Sequence, residues 1–360
     1  MSYQLSEKAR NLAPYDPVEG QYRVRMDANE SFLLPTEEDR LRMAEAAAQT
    51  ALNRYPDPMA ADLCAAFADL YGIRRELVTA GNGSDELISV IFTAFLEKGE
   101  RVLTLSPDFS MYRFYAALAE APCLSVEKGP DCRIDVDEVI RTIREQAVRL
   151  FIFSNPCNPT SVGLEREAVR RILRETDTLV VLDEAYMDFW DQSLLGEVED
   201  YDRLIVLRTC SKALGLAALR IGFAVANPVL TGVIRAAKSP YNVDAITQAM
   251  AGTVLRNPTY REVYTDLILR SRDLLLEGMR RLQRDGLVES VCDSCTNFVY
   301  VRLPGAKEIH GQLAERGIIV RCFGEEHLRI TAGTQSEDEE LLASLRFLLR
   351  SRREAENARR

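Results

Sequence analysis

The chain is short of the residues that build common metal and redox centres. Its 360 residues include only two histidines, His310 and His327. Its lone C-x-x-C, Cys292 to Cys295, has no second pair to complete a zinc tetrad. That pair leads into an expected strand rather than opening a helix, which argues against a dithiol redox motif. The eight cysteines (Cys64, Cys123, Cys132, Cys157, Cys210, Cys292, Cys295 and Cys322) are scattered, several within apolar runs. That usage suits free thiols in a reducing cytoplasm. Long apolar runs are missing as well. The longest, Leu87 to Leu96, is interrupted by Ser89 and Thr93 and is too short to span a bilayer. The N-terminus carries Glu7, Lys8 and Arg10 and no apolar signal core. Positive charge is in deficit: the net charge of −10 argues against nucleic acid or an anionic membrane as partner. Repeats and low-complexity tracts are absent too.

What is there is an ordinary soluble composition, 47% apolar and 28% charged. The length fits two domains or one large α/β unit. Residues 1–34, with Pro14, Pro17 and Gly20, read as an irregular N-terminal arm. Helical periodicity follows at Thr36–Leu52, Met59–Tyr71 and Ser84–Glu97. Short buried-strand runs at Arg101–Leu105, Leu150–Phe153, Leu179–Leu182 and Leu204–Leu207 then alternate with helical patterns at Met111–Ala119, Val136–Gln146 and Glu165–Glu175. That alternation predicts a mostly parallel sheet covered on both faces. Pro258 to about Arg284 reads as one long connecting helix. Beyond it, strands at Leu287–Val291, Thr296–Arg302 and Leu328–Thr331 and helices at Lys307–Arg316 and Glu337–Leu349 predict a small α+β domain. Ser336 and Glu339 form a candidate capping box for the last helix. The division is therefore an arm over 1–34, a large domain over 35–257 and a small C-terminal domain over 258–360.

One stretch carries the chemistry. Lys212 follows the apolar run Leu204–Leu207, has Ser211 beside it and Arg220 eight residues on. Asp183 ends the run Leu179–Leu182, and in an open parallel sheet ligands bind beyond the carboxyl ends of the strands. An amine, a hydroxyl, a guanidinium and a strand-end carboxylate are what pyridoxal 5'-phosphate (PLP) requires: an imine partner, phosphate ligands and a counter-charge for its ring nitrogen. Each feature has a plainer reading. Most lysines are solvated, and an aspartate at a strand end is commonly a helix N-cap. Asn158, in the loop Asn155–Thr160, and the Tyr186 hydroxyl are candidate donors to a phenolic oxygen, although a Pro-rich loop alone is ordinary turn chemistry. Gly83, Ser84 and Asp85 precede a helix and offer an anion site, in a spacing that matches neither of the common nucleotide-binding loops. Tyr112 would stack on a planar ring, unless it is an aromatic on a buried helix face.

Taken together, these segments resemble fold-type I PLP-dependent aminotransferases, and within them the histidinol-phosphate aminotransferases. The resemblance runs from about Asn11 to the last helix. It rests on Pro14–Pro17, Asp27–Glu30, Arg54–Asp57, Gly81–Glu86, Pro107–Tyr112, Asn155–Thr160, Asp183–Tyr186, Ser211–Arg220, Pro240–Val243 and Leu328–Gly333, in the family's order. It implies a mostly parallel seven-stranded sheet flanked by helices, a small C-terminal domain and a cytoplasmic homodimer with shared active sites. Lys212 would hold the cofactor covalently and act as the base for the proton shift. Asp183 would face the ring nitrogen, and Asn158 and Tyr186 the phenolic oxygen. Gly83, Ser84, Asp85, Thr209, Ser211 and Arg220 would surround the phosphate. Tyr55 would reach the partner's cofactor and Tyr15 the partner's substrate, while Arg321 and Arg329 would bind the substrate anion. The implied reaction passes an amino group between histidinol phosphate and 2-oxoglutarate. On the same skeleton stand aromatic aminotransferases and threonine-phosphate decarboxylases, and, more remotely, regulators without turnover. Three positions depart from the family pattern. Ser161 stands where glycine is usual, Ala218 where glycine is common, and Cys157 where asparagine is usual.

Overall fold

The computed structural model describes residues 3–10, 12 and 18–359. Among the described residues, twelve strands form two sheets. Seven belong to the large sheet: β2 (Val78–Gly81), β3 (Arg101–Ser106), β4 (Cys123–Glu127), β5 (Val148–Ser154), β6 (Leu179–Asp183), β7 (Leu204–Thr209) and β8 (Gly222–Ala226). The small sheet contains β1 (Val24–Met26), β9 (Ser290–Val291), β10 (Phe298–Arg302), β11 (Ile318–Phe323) and β12 (His327–Thr331).

The large sheet runs β2-β8-β7-β6-β5-β3-β4. Every pairing within it is parallel except those of β8, which is antiparallel to both β2 and β7. The central strands are buried along almost their whole length, because helices cover both faces. Alternation then divides their side chains between two cores. Phe151, Phe153, Val180, Leu182 and Val206 pack on one face. Leu150, Ile152, Val181, Ile205 and Leu207 pack on the other.

This topology decides where chemistry can sit. The carboxyl ends of β3, β5, β6 and β7 all emerge at one edge. Because β8 runs the opposite way, its beginning arrives at that same edge: Gly222 is in register with Gly81 of β2 and with Thr209 of β7. Arg220 is thereby delivered beside the start of the helix Ser84–Phe95. Gly222 itself admits no side chain, since a Cβ there would stand 2.3 Å from the Ser84 backbone nitrogen.

The small sheet runs β1-β11-β12-β10-β9 around its own core of Leu275, Met279, Val299, Ile318, Leu328 and Leu345. The helix Pro258–Arg284, about 40 Å long at 1.5 Å per residue, ties the two cores together. Tyr260 and Tyr264 near its start pack into the large core, and Leu275, Leu276, Met279 and Leu282 near its end pack into the small one.

Several elements differ from the sequence reading. The N-terminal segment read as irregular contains β1, which pairs in parallel with β11; a three-residue strand is too short to show a period. The strands β2, β4, β8 and β11 and the helices Pro228–Ala237 and Ala245–Leu255 also went unread. The strand expected over Leu287–Val291 is confined to Ser290–Val291. At the last helix the capping box forms two residues earlier than expected: Thr334 N–H donates to Glu337 Oε2 at 2.8 Å, and Glu337 N–H points back to Thr334 Oγ1 at 3.4 Å.

Candidate active site

A cavity of about 380 Å³ opens where the carboxyl edge of the large sheet meets the small sheet. Eleven of the sequence-selected residues line it: Ser84, Asp85, Asn158, Asp183, Tyr186, Thr209, Ser211, Lys212, Arg220, Arg321 and Arg329. They come from four connections of the large sheet, those after β2, β5, β6 and β7, and from two strands of the small one.

Lys212 extends from the turn after β7, half-buried, and its Nζ donates to the Ala28 carbonyl at 3.0 Å. Shielding from water, helped by the Arg329 guanidinium, pushes its ammonium down to about 8. Asp183, at the end of β6, is buried. Its carboxylate accepts from the Tyr112 hydroxyl at 2.7 Å and from the Ala185 N–H at 3.1 Å. Neither donor is a full charge, and no cation pairs with this carboxylate among the described residues. Burial therefore dominates and pushes its acid up to about 7.

The end of the cavity beside the Ser84 helix is built largely from backbone. The helix Ser84–Phe95 starts at Gly83, whose φ is 81°, and has no side-chain cap. Its first N–H groups and positive dipole end face the cavity rim. A Cβ on Gly83 would stand 2.7 Å from Arg220 Nη2, so glycine lets the guanidinium approach. Arg220 lies 3.9 Å from Asp85 and adopts a left-handed φ of 51°. Thr209 Oγ1 and Ser211 Oγ are 3.1 Å apart, with the Ser211 N–H donating to Thr209 Oγ1 at 3.2 Å. Burial raises the Asp85 acid against the pull of Arg220 and Lys212.

The opposite end belongs to the small sheet. Arg321 and Arg329 are directly opposed in the β11–β12 register. Arg329 is anchored: it donates through Nη1 to Asn158 Oδ1 at 2.5 Å and through Nη2 to the Asp27 carbonyl. Arg321 has no ion-pair partner among the described residues. With its oxygen taken by Arg329, Asn158 keeps its amide N–H groups available. Tyr186 is buried, accepts from Asn29 Nδ2 at 2.8 Å, and is pushed up to about 12 by that burial.

Two selected residues stand elsewhere. Tyr112 is fully buried beneath the cavity and cannot stack on a ligand. It lies on the inner face of the helix Met111–Leu118, and its hydroxyl is committed to Asp183. The aromatic of this segment that reaches the cavity wall is Phe109, edge-on to Tyr112 with ring centres 5.5 Å apart. It precedes the helix and so stays at the strand end; that position was the available signal. Tyr55 is 82% exposed, stacked on Tyr241 at 4.6 Å, and does not line this cavity. Tyr15 lies outside the described residues.

Sequence reasoning also missed Asn29. It is buried with φ 54°, donates to Tyr186 and accepts from Thr331 Oγ1 at 3.1 Å, while its carbonyl accepts from Asn297 Nδ2 at 3.2 Å. The segment Asp27–Asn29 thus touches Lys212, Arg329 and Tyr186 at once. Asp108 is the other omission. It lines the cavity beside Phe109, its side chain buried, accepts from the Ser154 hydroxyl and lies 3.8 Å from the buried Lys128 ammonium.

Residues 23–345 match the family model of aminotransferase class I and II. A histidinol-phosphate aminotransferase of Clostridium novyi (strain NT) is 37% identical over 92% of this chain and 94% of its own length. One from Thermoanaerobacter pseudethanolicus is 36% identical over 96% of this chain and 98% of its own. Among solved structures, a histidinol-phosphate aminotransferase of Sinorhizobium meliloti in complex with pyridoxal-5'-phosphate superposes with a TM-score of 0.86 at 26% identity, covering 97% of this chain and 98% of that one.

Proposed function

Since the chain belongs to the class I and II aminotransferase family, we propose that it is a PLP-dependent transaminase that interconverts L-histidinol phosphate plus 2-oxoglutarate with imidazole-acetol phosphate plus L-glutamate. The observation that carries the reading is Asp183. A buried strand-end carboxylate with no cationic partner among the described residues, in the same cavity as a lysine whose charge is disfavoured, fits a ligand that brings a ring N–H⁺ and accepts an amine. The uncapped helix end at Ser84, with Thr209, Ser211 and Arg220 around it, fits that ligand's phosphate.

When bound, PLP would supply an electron sink for the electron pair left behind when the carbon bearing the amine loses its proton. The chain's residues supply the rest. Lys212, its ammonium pushed down to about 8 by burial, would be the residue to hold the cofactor covalently and to carry the proton between carbon atoms. Asp183, held in place by Tyr112, would keep the ring nitrogen protonated. Tyr186 and the free amide of Asn158 would donate to the phenolic oxygen. Phe109 would cover one ring face, the part the sequence alone gives to Tyr112. Arg329, pre-oriented by Asn158 and the Asp27 carbonyl, would hold the carboxylate of the amino donor. Arg321, opposed to it, would take the second anion, a carboxylate or the phosphate of histidinol phosphate. Two guanidinium groups directly across a strand pair repel each other, and a dianionic substrate removes that repulsion.

Assembly and location extend the proposal. Tyr55 projects from a surface that also exposes Leu52 and Met59. A second copy covering it would take Tyr55 to the partner's cofactor, with Tyr15 on the arm reaching the partner's substrate. No described helix is long and apolar enough to cross a membrane, and eight unbridged cysteines suit the cytoplasm.

The test is reconstitution with PLP followed by turnover with glutamate and a panel of imidazole-acetol phosphate, phenylpyruvate and O-phosphothreonine. Visible cofactor absorption, preference for imidazole-acetol phosphate and loss of both covalent capture and turnover in Lys212→Ala are expected. A protein that takes up no PLP ends the reading. Preference for phenylpyruvate, or carbon dioxide release from O-phosphothreonine, moves the substrate to a relative on the same skeleton.

A further inference from the structure

The Cys292–Cys295 motif does not close on itself. Cys292 Sγ lies 3.5 Å from Cys132 Sγ, a residue 160 positions earlier in the chain. Cys295 is occupied elsewhere: its N–H donates to the Ser161 carbonyl at 2.8 Å, and its thiol accepts from the Gly163 backbone.

The two sulfurs come from opposite sides of a seam. Cys132 sits in the turn between β4 and the helix Val136–Glu145, with φ 63° and its N–H on the Gly129 carbonyl at 2.8 Å. Cys292 follows the edge strand β9 of the small sheet, with its N–H on the Tyr300 carbonyl at 3.0 Å. Both thiols are free and partly exposed, so small reagents can reach them. The Cys292 thiol and the buried Lys128 ammonium draw the Cys132 thiol below its ordinary range, while Cys292 is held above it. Cys132 is therefore the better nucleophile and Cys292 the resolving group.

We propose that Cys132 and Cys292 are a modification site that closes into a reversible crosslink between the two sheets when the protein meets a low-molecular-weight disulfide. The Cys132 thiolate attacks one sulfur of the reagent, whose S–S bond breaks and releases one thiolate. The Cys292 thiol gives its proton to that thiolate and attacks the Cys132 sulfur of the mixed disulfide, expelling the second thiolate, which takes a proton from solvent. Two thiols are oxidised and one reagent disulfide is reduced to two thiols. Closing from 3.5 Å to the bonded ~2.05 Å asks the two loops for a shift on the order of 1.5 Å.

The crosslink has a path to the cavity. Ser161, whose φ is 64°, accepts through its carbonyl from Cys295 N–H at 2.8 Å, and its hydroxyl is shared between the Thr160 carbonyl at 2.5 Å and the Asp293 carbonyl at 3.0 Å. It follows the loop Asn155–Thr160, which presents Asn158 to Arg329. Fixing Cys292 against Cys132 therefore acts behind the Asn158–Arg329 contact. Its effect falls on KM for the anionic substrate rather than on cofactor retention. Only this second effect rests on the proposed reaction; the crosslink itself does not.

The experiment treats the full-length protein with oxidised glutathione and maps unreduced peptides by mass spectrometry. A Cys132–Cys292 peptide pair, two free thiols lost, and full recovery with dithiothreitol are expected. Cys292→Ser should stop at a glutathione adduct on Cys132, and Cys132→Ser should form no crosslink. Circular dichroism checks that both variants remain folded. A Cys292–Cys295 product, or adducts without the 132–292 pair in the wild-type protein, overturns the proposal. KM for the keto acid should change in the crosslinked protein and return on reduction, and an unchanged KM removes the link to the cavity.

Discussion

The cradle formed by Ser84, Thr209, Ser211 and Arg220 and the opposed pair Arg321–Arg329 face one cavity, yet they are held in different ways. The cradle is the edge of a single sheet, set by the register that joins β2, β8 and β7 through Gly81, Gly222 and Thr209. The arginine pair comes from another sheet and is oriented by distant chain: Asn158 from the loop after β5 and the Asp27 carbonyl from the segment after β1. A one-sheet site is as stiff as its hydrogen-bond ladder. A two-sheet site is only as stiff as the seam between its parts. On this account cofactor binding should resist changes at the seam, whereas substrate binding should register them.

The largest effect belongs to the one-sheet end. Lys212→Ala should lower transamination by roughly 10⁴-fold, the upper range for a positioned acid–base group. Because the cradle is independent of Lys212, the variant should still bind PLP noncovalently, as dialysis and absorbance will show. Loss of all PLP affinity would mean that the cradle has no strength of its own.

Next comes Asp183→Asn, expected to cost roughly 10²–10³-fold in kcat, as for loss of a pre-organised charge. Its pH signature is specific. With the acid raised from 3.8 to about 7, the cofactor-free fold keeps a proton that the unfolded chain has released. Stability contributed by this group therefore falls as pH rises from about 4 to about 7, by at most roughly 4 kcal/mol, and the full loss stands above that window. Asp183→Asn should raise the melting temperature of the cofactor-free protein at pH 8 and leave it nearly unchanged at pH 4. Equal shifts at both pH values would show that the carboxylate is not held protonated.

At the two-sheet end the arginines should part company. Arg329→Ala leaves Asn158 and the Asp27 carbonyl without their donor, so it should cost about 3 kcal/mol, roughly 10²-fold in kcat/KM for glutamate. Arg321, with no such anchors, should cost about tenfold, and more with histidinol phosphate than with glutamate. Steady-state kinetics with both donors separates them, and equal losses would erase the distinction between an anchored and an unanchored guanidinium.

The same contrast explains what could be read from sequence. Asp183, Lys212 and the Ser84 helix start each announce themselves within a few residues, as a strand end, a turn and a helix N-terminus. Their convergence follows from βα alternation. Tyr112 was misassigned by one helical turn: its segment was recognised, but only the packed helix shows that Tyr112 faces Asp183 and that Phe109 faces the cavity. Asn29 and β1 were illegible because their partners, Tyr186 and β11, lie 157 residues or more away. Cys132–Cys292 was hidden for the same reason, behind a nearer cysteine that suggested the wrong pair.

The smallest expected effect tests the seam most directly. Ser161 occupies a left-handed backbone position, φ 64°, which glycine adopts without strain, so Ser161→Gly relieves about 1 kcal/mol in the folded state. Against that, glycine loses more chain entropy on folding, roughly 0.4–1 kcal/mol. The hydroxyl, shared between the Thr160 carbonyl at 2.5 Å and the Asp293 carbonyl at 3.0 Å, also disappears, for about 1 kcal/mol more. Asp293 is exposed, so water can replace that bond, and the balance should fall within about 1 kcal/mol of wild type. Melting should therefore hardly move. What should move is KM for the keto acid, by a few-fold, because the loop bearing Asn158 loses a tether to the small sheet, while PLP affinity stays constant. A Ser161→Gly protein with weakened PLP binding and unchanged KM would place the seam's influence at the cradle, and the separation of the two ends would fail.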